Sequence, residues 1–345
     1  MKAVTIHGKG DLRLDDVPAP TPGPGEVLVR MGAGGICGSD MSYLAKGGVG
    51  DFKIREPLVV GHEIAGTVVQ LGTGVDAVTP GTRVAVDPSR PCLHCEYCRA
   101  GRSNLCRHMQ FFGSASVFPH VQGAFAETFV CRADQLHPIP DSMDFRTAAL
   151  AEPFAVALHG VRRAGEVFGQ HVMITGAGPI GMLTVMAARH AGAASITVTD
   201  LVDEPLELAR AAGADTVINV AKEPERLAAY EANKGYFAIG LEATGSPMAL
   251  AGLFRVVRPG GRIVQLGILP PGDVPVPVNL LVTREIDYLG AFRFSQEFAQ
   301  AVALLASGRI DMTPVLSADL PVAQVAEAFA LAMDRTRSIK VHLHF

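Results

Sequence analysis

Four of the six cysteines in this 345-residue chain fall in one short stretch, PCLHCEYCRAGRSNLC, at the spacing C-x2-C-x2-C-x7-C. Thiols this dense point to metal binding, to a disulfide or to redox chemistry. Four thiolates fill the tetrahedral sphere of Zn2+, so a site made by Cys92, Cys95, Cys98 and Cys106 leaves no position for substrate and would be structural. An iron–sulfur cluster is the rival reading. The ferredoxin run, however, closes with C-x3-C-P, whereas here the last gap is seven residues and Arg107 follows. A second set of donors is scattered: Cys37 in GGICGSD, His62 and Glu63 in VVGHEIAG, and Glu152 in LAEPFAVALHG. A Cys–His–Glu set with a fourth position for water or substrate is what a catalytic zinc requires. Spacing alone does not assemble it, because the donors come from different segments. Taken singly, Cys37 reads equally as a small buried thiol, His62 as a core histidine and Glu152 as a helix start before Pro153.

A third constellation is contiguous. VMITGAGPIGM places Gly176, Gly178 and Gly181 directly after an apolar strand and at the mouth of a helix, with Pro179 and Ile180 between the last two. In that context the first glycine makes a turn, the second admits a pyrophosphate and the third lets helix pack on strand. The next strand, SITVTD, ends in Asp200, where a carboxylate would bind ribose hydroxyls. The residues that follow, Leu201, Val202 and Asp203, offer no Arg or Lys to a 2′-phosphate, so NAD is expected and NADP less so.

These residues need elements to hold them. Up to about residue 150 the chain reads as short strands broken by Gly and Pro, among them EVLVRM, EIAGTVVQLG, TRVAVDP and AFAETFVC, which suggests an irregular barrel or sandwich. The four-cysteine segment lacks hydrophobic periodicity and reads as a loop that a metal could fold. Beyond Pro153 strands and amphipathic helices alternate: strand His171–Thr175, helix Pro179–Ala191, strand Ser195–Thr199, helix Glu204–Ala212 and strand Thr216–Asn219. This βαβαβ order predicts a parallel sheet covered on both faces. Further strands are expected at Ala238–Ala243, Arg262–Gly267 and Ile286–Ala291. The tail reads as helices closed by the strand-like SIKVHLHF, which could pair back into the first domain.

Composition narrows the partners. With 48% hydrophobic and 19% charged residues the chain can bury real cores, and a formal charge of −4 without a basic run argues against nucleic acid or membrane surfaces. The uncharged stretch Val172 to Ala188 is too short and too rich in glycine to be read as a membrane span. The polar start, MKAVTIHGKGDLRLDD, lacks the apolar core of a secretory signal, so a cytoplasmic location with reduced thiols is expected. Cys131, with no partner nearby in sequence, is expected to be a buried free thiol.

Taken together, Cys37 in GICGSD, the GHE of His62 and Glu63, the four-cysteine loop, and Gly176 to Gly181 with Asp200 resemble the zinc-dependent medium-chain dehydrogenases, in their polyol or sorbitol-type branch, over essentially the whole chain. The stretches MQFFGSASVFPHVQGAF, GAFRFSQEF and KVHLHF look like the L-idonate 5-dehydrogenases within that branch. The resemblance implies an N-terminal GroES-like β-barrel domain, residues 1–153 with 294–345, into which a Rossmann domain, residues 154–293, is inserted. Substrate would lie in the cleft between them, and the chain would form a homo-oligomer, commonly a tetramer, otherwise a dimer.

It also implies two zinc ions per chain: a structural one in the cysteine loop, and a catalytic one on Cys37, His62 and Glu152, where Glu63 can coordinate or exchange with water. Asp40 would orient His62. NAD would rest on the glycine motif and Asp200, with its far end against Leu266, Gly267, Ile268, Ala291, Phe292 and Arg293. A substrate hydroxyl would meet the metal's open position, lose its proton and pass hydride to the nicotinamide.

For L-idonate this is the C5 hydroxyl, giving 5-keto-D-gluconate reversibly; sorbitol, galactitol and glucose are the alternatives. Ser39 matches the hydroxyl that starts the proton relay. Ser42 stands where many polyol enzymes carry His, which leaves Tyr43, water or ribose hydroxyls to continue it. Arg293, His120, Tyr43 and Phe112 are the expected substrate contacts, although each also has a plain structural reading. A non-catalytic binding protein stabilised by one zinc stays open as a reading from another class.

Overall fold

Two large sheets of opposite character dominate the chain, with three small ones of two or three strands beside them. The computed structural model describes all 345 residues. The first sheet is mostly antiparallel and has seven strands, with Leu136–Pro138, Arg83–Val86, Glu63–Leu71, Glu26–Gly35, Lys340–His344 and Leu316–Pro321 in spatial order and Thr128–Arg132 paired to Glu26–Gly35. Alternation drives it: in Glu26–Gly35 the side chains of Val27, Val29 and Met31 are buried while Arg30 is exposed, which is what one packed and one solvated face demand. These residues join Val60, Ile64, Phe125, Val341 and Leu343 in the barrel core.

The second sheet is wholly parallel, in the order Thr216–Asn219, Ser195–Asp200, His171–Thr175, Phe237–Glu242, Val257–Gln265, Asp287–Gly290. Numbered along the chain this is 3-2-1-4-5-6, the doubly wound order of a dinucleotide fold. Every residue of Phe237–Glu242 is buried, as a strand covered by helices on both faces requires. Helices Pro179–His190 and Asp203–Ala211 start within a residue of their expected positions. No helix is long and apolar enough to cross a membrane.

The terminal strand pairs back as expected: His342 opposes Gly35 and Leu343 opposes Gly34. Three features differ from the sequence reading. Leu316–Pro321 is a strand parallel to Lys340–His344, hidden in LSADLP because an edge strand alternates half-buried and exposed residues and has little apolar signal. The cysteine segment is not plain loop, since it holds a helical turn at Glu96–Arg99 and a 3-10 turn at Ser103–Leu105. The domain boundaries also shift. Helix Ala151–Arg163 runs through the one drawn at 153, and helix Glu297–Ala306 lies against it, so Phe294, Phe298, Ala301, Val302 and Leu305 share one core with the parallel sheet and with Ala65 and Ala85 of the first sheet.

Candidate active site

A cleft of about 200 Å³ opens between the two sheets, lined from the barrel by Cys37, Ser39, Tyr43, His62, Glu63, Phe111 and Phe112, and from the junction and the parallel sheet by Glu152, Ile180, Leu266, Ile268, Ala291, Phe292 and Arg293. Cys37 ends the turn after strand Glu26–Gly35 and caps helix Gly38–Lys46, where its backbone N–H donates to Asp40 at 3.0 Å. Glu63 opens the strand Glu63–Leu71 and His62 immediately precedes it. The donor atoms of Cys37, His62 and Glu63 lie within 4.8 Å of one another. Glu152, in the first turn of its helix, stands outside this tight trio but faces the same space.

The trio is built for a cation. Oε2 of Glu63 is buried without a hydrogen-bond partner, a costly state that a bound ion relieves, while the likewise unpartnered Nδ1 of His62 and Oδ1 of Asp40 face each other. Gly35 makes the room, since a Cβ there would stand 2.2 Å from Glu63 Oε2. Asp40 Oδ1 lies 3.8 Å from His62 Nδ1, beyond hydrogen-bond reach but poised to orient the ring. With only protons to share, burial and the Glu63 charge push the Cys37 thiol up to about 12, and burial pushes Glu152 up to about 8. A divalent ion would reverse both.

Lys340 completes the set and gave no signal in the sequence. It is buried, pairs with Glu63 Oε1 at 2.7 Å and donates to the Ile36 carbonyl at 3.1 Å. It thereby holds one carboxylate oxygen of Glu63 and leaves the other facing the trio.

The four cysteines of the lobe also meet, with all four sulfurs within 4.8 Å. Sγ of Cys95 and Cys98 are 3.5 Å apart, near the edge of about 3.8 Å of a tetrahedron with zinc–sulfur bonds of about 2.3 Å. Backbone N–H groups of Cys92 and His108 donate to Cys106 Sγ at 3.2 and 3.3 Å, a setting suited to thiolate. Cys131 is a buried free thiol pushed up to about 12 by burial.

The glycine motif has the geometry its chemistry needs. Gly176 adopts φ +93° and ends strand His171–Thr175; a Cβ on Gly181 would fall 1.9 Å from the Gly176 carbonyl oxygen; a Cβ on Gly178 would meet nothing, so the helix N-terminus behind Pro179 is open to a phosphate. Gly181→Ala is therefore expected to cost about 1–3 kcal/mol of stability and to weaken NADH binding, read by thermal unfolding and cofactor fluorescence; a variant as stable and as tight as the parent would refute the close-packing role. At the far end, Glu242 is fully buried and accepts from the N–H groups of Thr244 and Gly245 at 2.8 and 3.0 Å, while Leu266 and Gly267 donate to its carbonyl. This acid, absent from the sequence reading, ties together the two loops beside Ile268. Ile268 and Phe292 are exposed at the open mouth.

Two expectations change. His120 does not line the cleft: Nε2 accepts from the Arg55 N–H at 2.9 Å and Nδ1 bonds the Val117 carbonyl at 2.8 Å, so both ring nitrogens serve a neighbouring loop. A basic residue does approach Asp200, although none follows it in sequence: Arg335 pairs with its Oδ2 at 2.5 Å. Tyr43 is buried and its hydroxyl accepts from the Ala115 N–H at 3.0 Å, with burial holding the phenol above its usual range.

Residues 23–141 match the family described as "Alcohol dehydrogenase GroES-like domain" and residues 179–307 that described as "Zinc-binding dehydrogenase". The chain is 40% identical over 319 residues to L-idonate 5-dehydrogenase (NAD(P)(+)) of Escherichia coli, covering 92% of each chain. It is 39% identical over 344 residues to sorbitol dehydrogenase of Gallus gallus, covering 99% of this chain and 95% of that one. The chain belongs to the zinc-dependent medium-chain dehydrogenases. The crystal structure of the Escherichia coli L-idonate 5-dehydrogenase superposes with a TM-score of 0.95 at 38% identity, over 100% of this chain and 98% of that one. A dehydrogenase of this family is an oxidoreductase with zinc and a nicotinamide dinucleotide as cofactors, which sets aside the non-catalytic reading.

Proposed function

We propose that this dehydrogenase oxidises the C5 hydroxyl of L-idonate to give 5-keto-D-gluconate, reversibly, with NAD. The observation that carries the acid substrate is Arg293. Its guanidinium lies over the Phe111 ring at 4.0 Å, has no ion pair within the chain, and is brought down to about 10 by burial. A half-buried guanidinium in the cleft wall that forms no direct ion pair, with Glu152 its nearest acidic influence, can take an anionic ligand, and its planar fork suits a carboxylate. Its backbone is left-handed at φ +54°, a conformation that a non-glycine residue keeps only where neighbours enforce it.

In this reading Cys37, His62 and Glu152 hold the catalytic zinc, with Glu63, steadied by Lys340, able to join or leave them. Zinc, when bound, polarises a hydroxyl and the nicotinamide accepts hydride. Ser39, on the cleft wall beside Cys37, takes the proton of the substrate hydroxyl. Tyr43 can pass a proton on but not keep negative charge, since burial holds it neutral. Phe111 and Phe112 line the cleft with apolar surface that excludes water, and Ile180 and Leu266 on its other wall would flank a nicotinamide. The exposed apolar Val278 and Val282, near the open edge strand Asp287–Gly290, support a homo-oligomer.

The kinship with sorbitol dehydrogenases supports a neutral polyol as the second reading. Assays with NAD and L-idonate, sorbitol, galactitol or glucose separate the two, L-idonate being expected to give the highest kcat/KM. Arg293→Ala is expected to raise the KM for L-idonate roughly 10- to 100-fold, the worth of a charge-assisted contact, with a smaller effect on sorbitol. An unchanged KM for L-idonate would remove Arg293 from the substrate site.

A further inference from the structure

Asp200 ends the second strand of the parallel sheet, but one of its partners comes from the barrel side of the molecule. It is 5% exposed, and its carboxylate accepts backbone N–H groups from Ala177 at 2.8 Å, Leu201 at 2.6 Å and Val202 at 3.2 Å. The fourth donor is the Arg335 guanidinium, at 2.5 Å. Arg335 lies in the turn between helix Val325–Met333 and the terminal strand Lys340–His344, and its side chain is half exposed. Ala177 belongs to the glycine-rich turn, so turn, acid and arginine converge where the adenosine ribose of a dinucleotide rests on this fold.

We propose that Arg335 is a cofactor-specificity residue that lets this enzyme take NADP as well as NAD. Asp200 alone would repel a 2′-phosphate. Paired with Arg335 its charge is cancelled, and the half-exposed guanidinium is free to turn from the carboxylate to the phosphate, which it can grip with two N–H groups. The other nearby acid is already neutralised, because Asp203 pairs with Lys222 and accepts from Asn219. Glu204, in the first turn of the next helix, is exposed to solvent and so is screened. With NAD the ribose hydroxyls meet Asp200 and Arg335 stays as its partner. The three backbone donors keep the acid in place in either case.

The proposal rests on the dehydrogenase reading of the cleft and not on which sugar is oxidised, so binding tests it without a substrate. The zinc-loaded enzyme and its Arg335→Ala and Arg335→Lys variants are titrated with NADH and NADPH by the fluorescence of bound cofactor. The parent is expected to bind both. Arg335→Ala is expected to weaken NADPH roughly 10- to 100-fold and NADH far less, the difference of one charge-assisted contact, and Arg335→Lys to recover part of the loss. Retained NADH binding shows that the variant is folded. A parent that binds NADH but not NADPH, a variant that loses both equally, or one that loses neither would overturn the role of Arg335; a parent that binds neither would overturn the dehydrogenase reading itself.

Discussion

Replacing His62 with alanine is expected to lower turnover by about a thousandfold or more, because a catalytic metal contributes several kcal/mol at the transition state. The fold should survive. His62 is buried, but its ring lines the cleft, with Phe111 at 5.5 Å between centroids, and it takes part in no sheet pairing. Elemental analysis of the purified variant should fall from two zinc ions per chain towards one, while circular dichroism and thermal unfolding stay close to the parent. Asp40→Asn tests the layer behind. It keeps the shape that accepts the Cys37 N–H but removes the charge facing His62, and roughly a 10- to 100-fold loss is expected, as for other groups that orient a ligand. Turnover within tenfold of the parent in His62→Ala, or two zinc ions retained, would mean that Cys37, His62 and Glu152 are not the catalytic set.

The parts legible from sequence were those whose chemistry is local. The glycine motif, its strand and its helix are consecutive, so hydrophobic period and turn residues specify them together, and the four cysteines share one short loop. The scattered donors could be paired only through resemblance. What the sequence could not disclose were contacts closed by the tail. Lys340 meets Glu63 across 277 residues of chain and Arg335 meets Asp200 across 135, and a lysine in KVHLHF or an arginine in DRTRS looks like an ordinary solvated charge. The segment that returns to the barrel places both. Glu242 was hidden in a wholly buried strand end, where an acid reads as an interruption until its backbone donors are seen. His120 erred the other way. It was expected among the substrate contacts, whereas neighbouring backbone uses both its nitrogens.

Loss of the lobe's metal should reach the active site indirectly. Cys95→Ser is expected to leave one zinc per chain and to lower the unfolding temperature by about 6–12 °C, if roughly 3 kcal/mol is lost at about 2–4 °C per kcal/mol. A structural zinc is folding free energy for the segment it ties, so limited proteolysis should open the chain between residues 92 and 106 first. The lobe touches the loop that carries Arg293: Asn104 Nδ2 donates to the Phe292 carbonyl at 3.0 Å, the hydroxyls of Ser103 and Ser295 lie 2.9 Å apart, and Ser295 donates to the Gly101 carbonyl at 3.0 Å. A left-handed Arg293 depends on such neighbours. Below its unfolding temperature the variant should therefore show a raised KM for L-idonate with kcat much less affected, and Asn104→Ala should reproduce the KM effect with both zinc ions in place. Turnover abolished in a folded Cys95→Ser enzyme that still holds its catalytic zinc would place chemistry in the lobe. An unchanged KM in both variants would show that Arg293 is held without it.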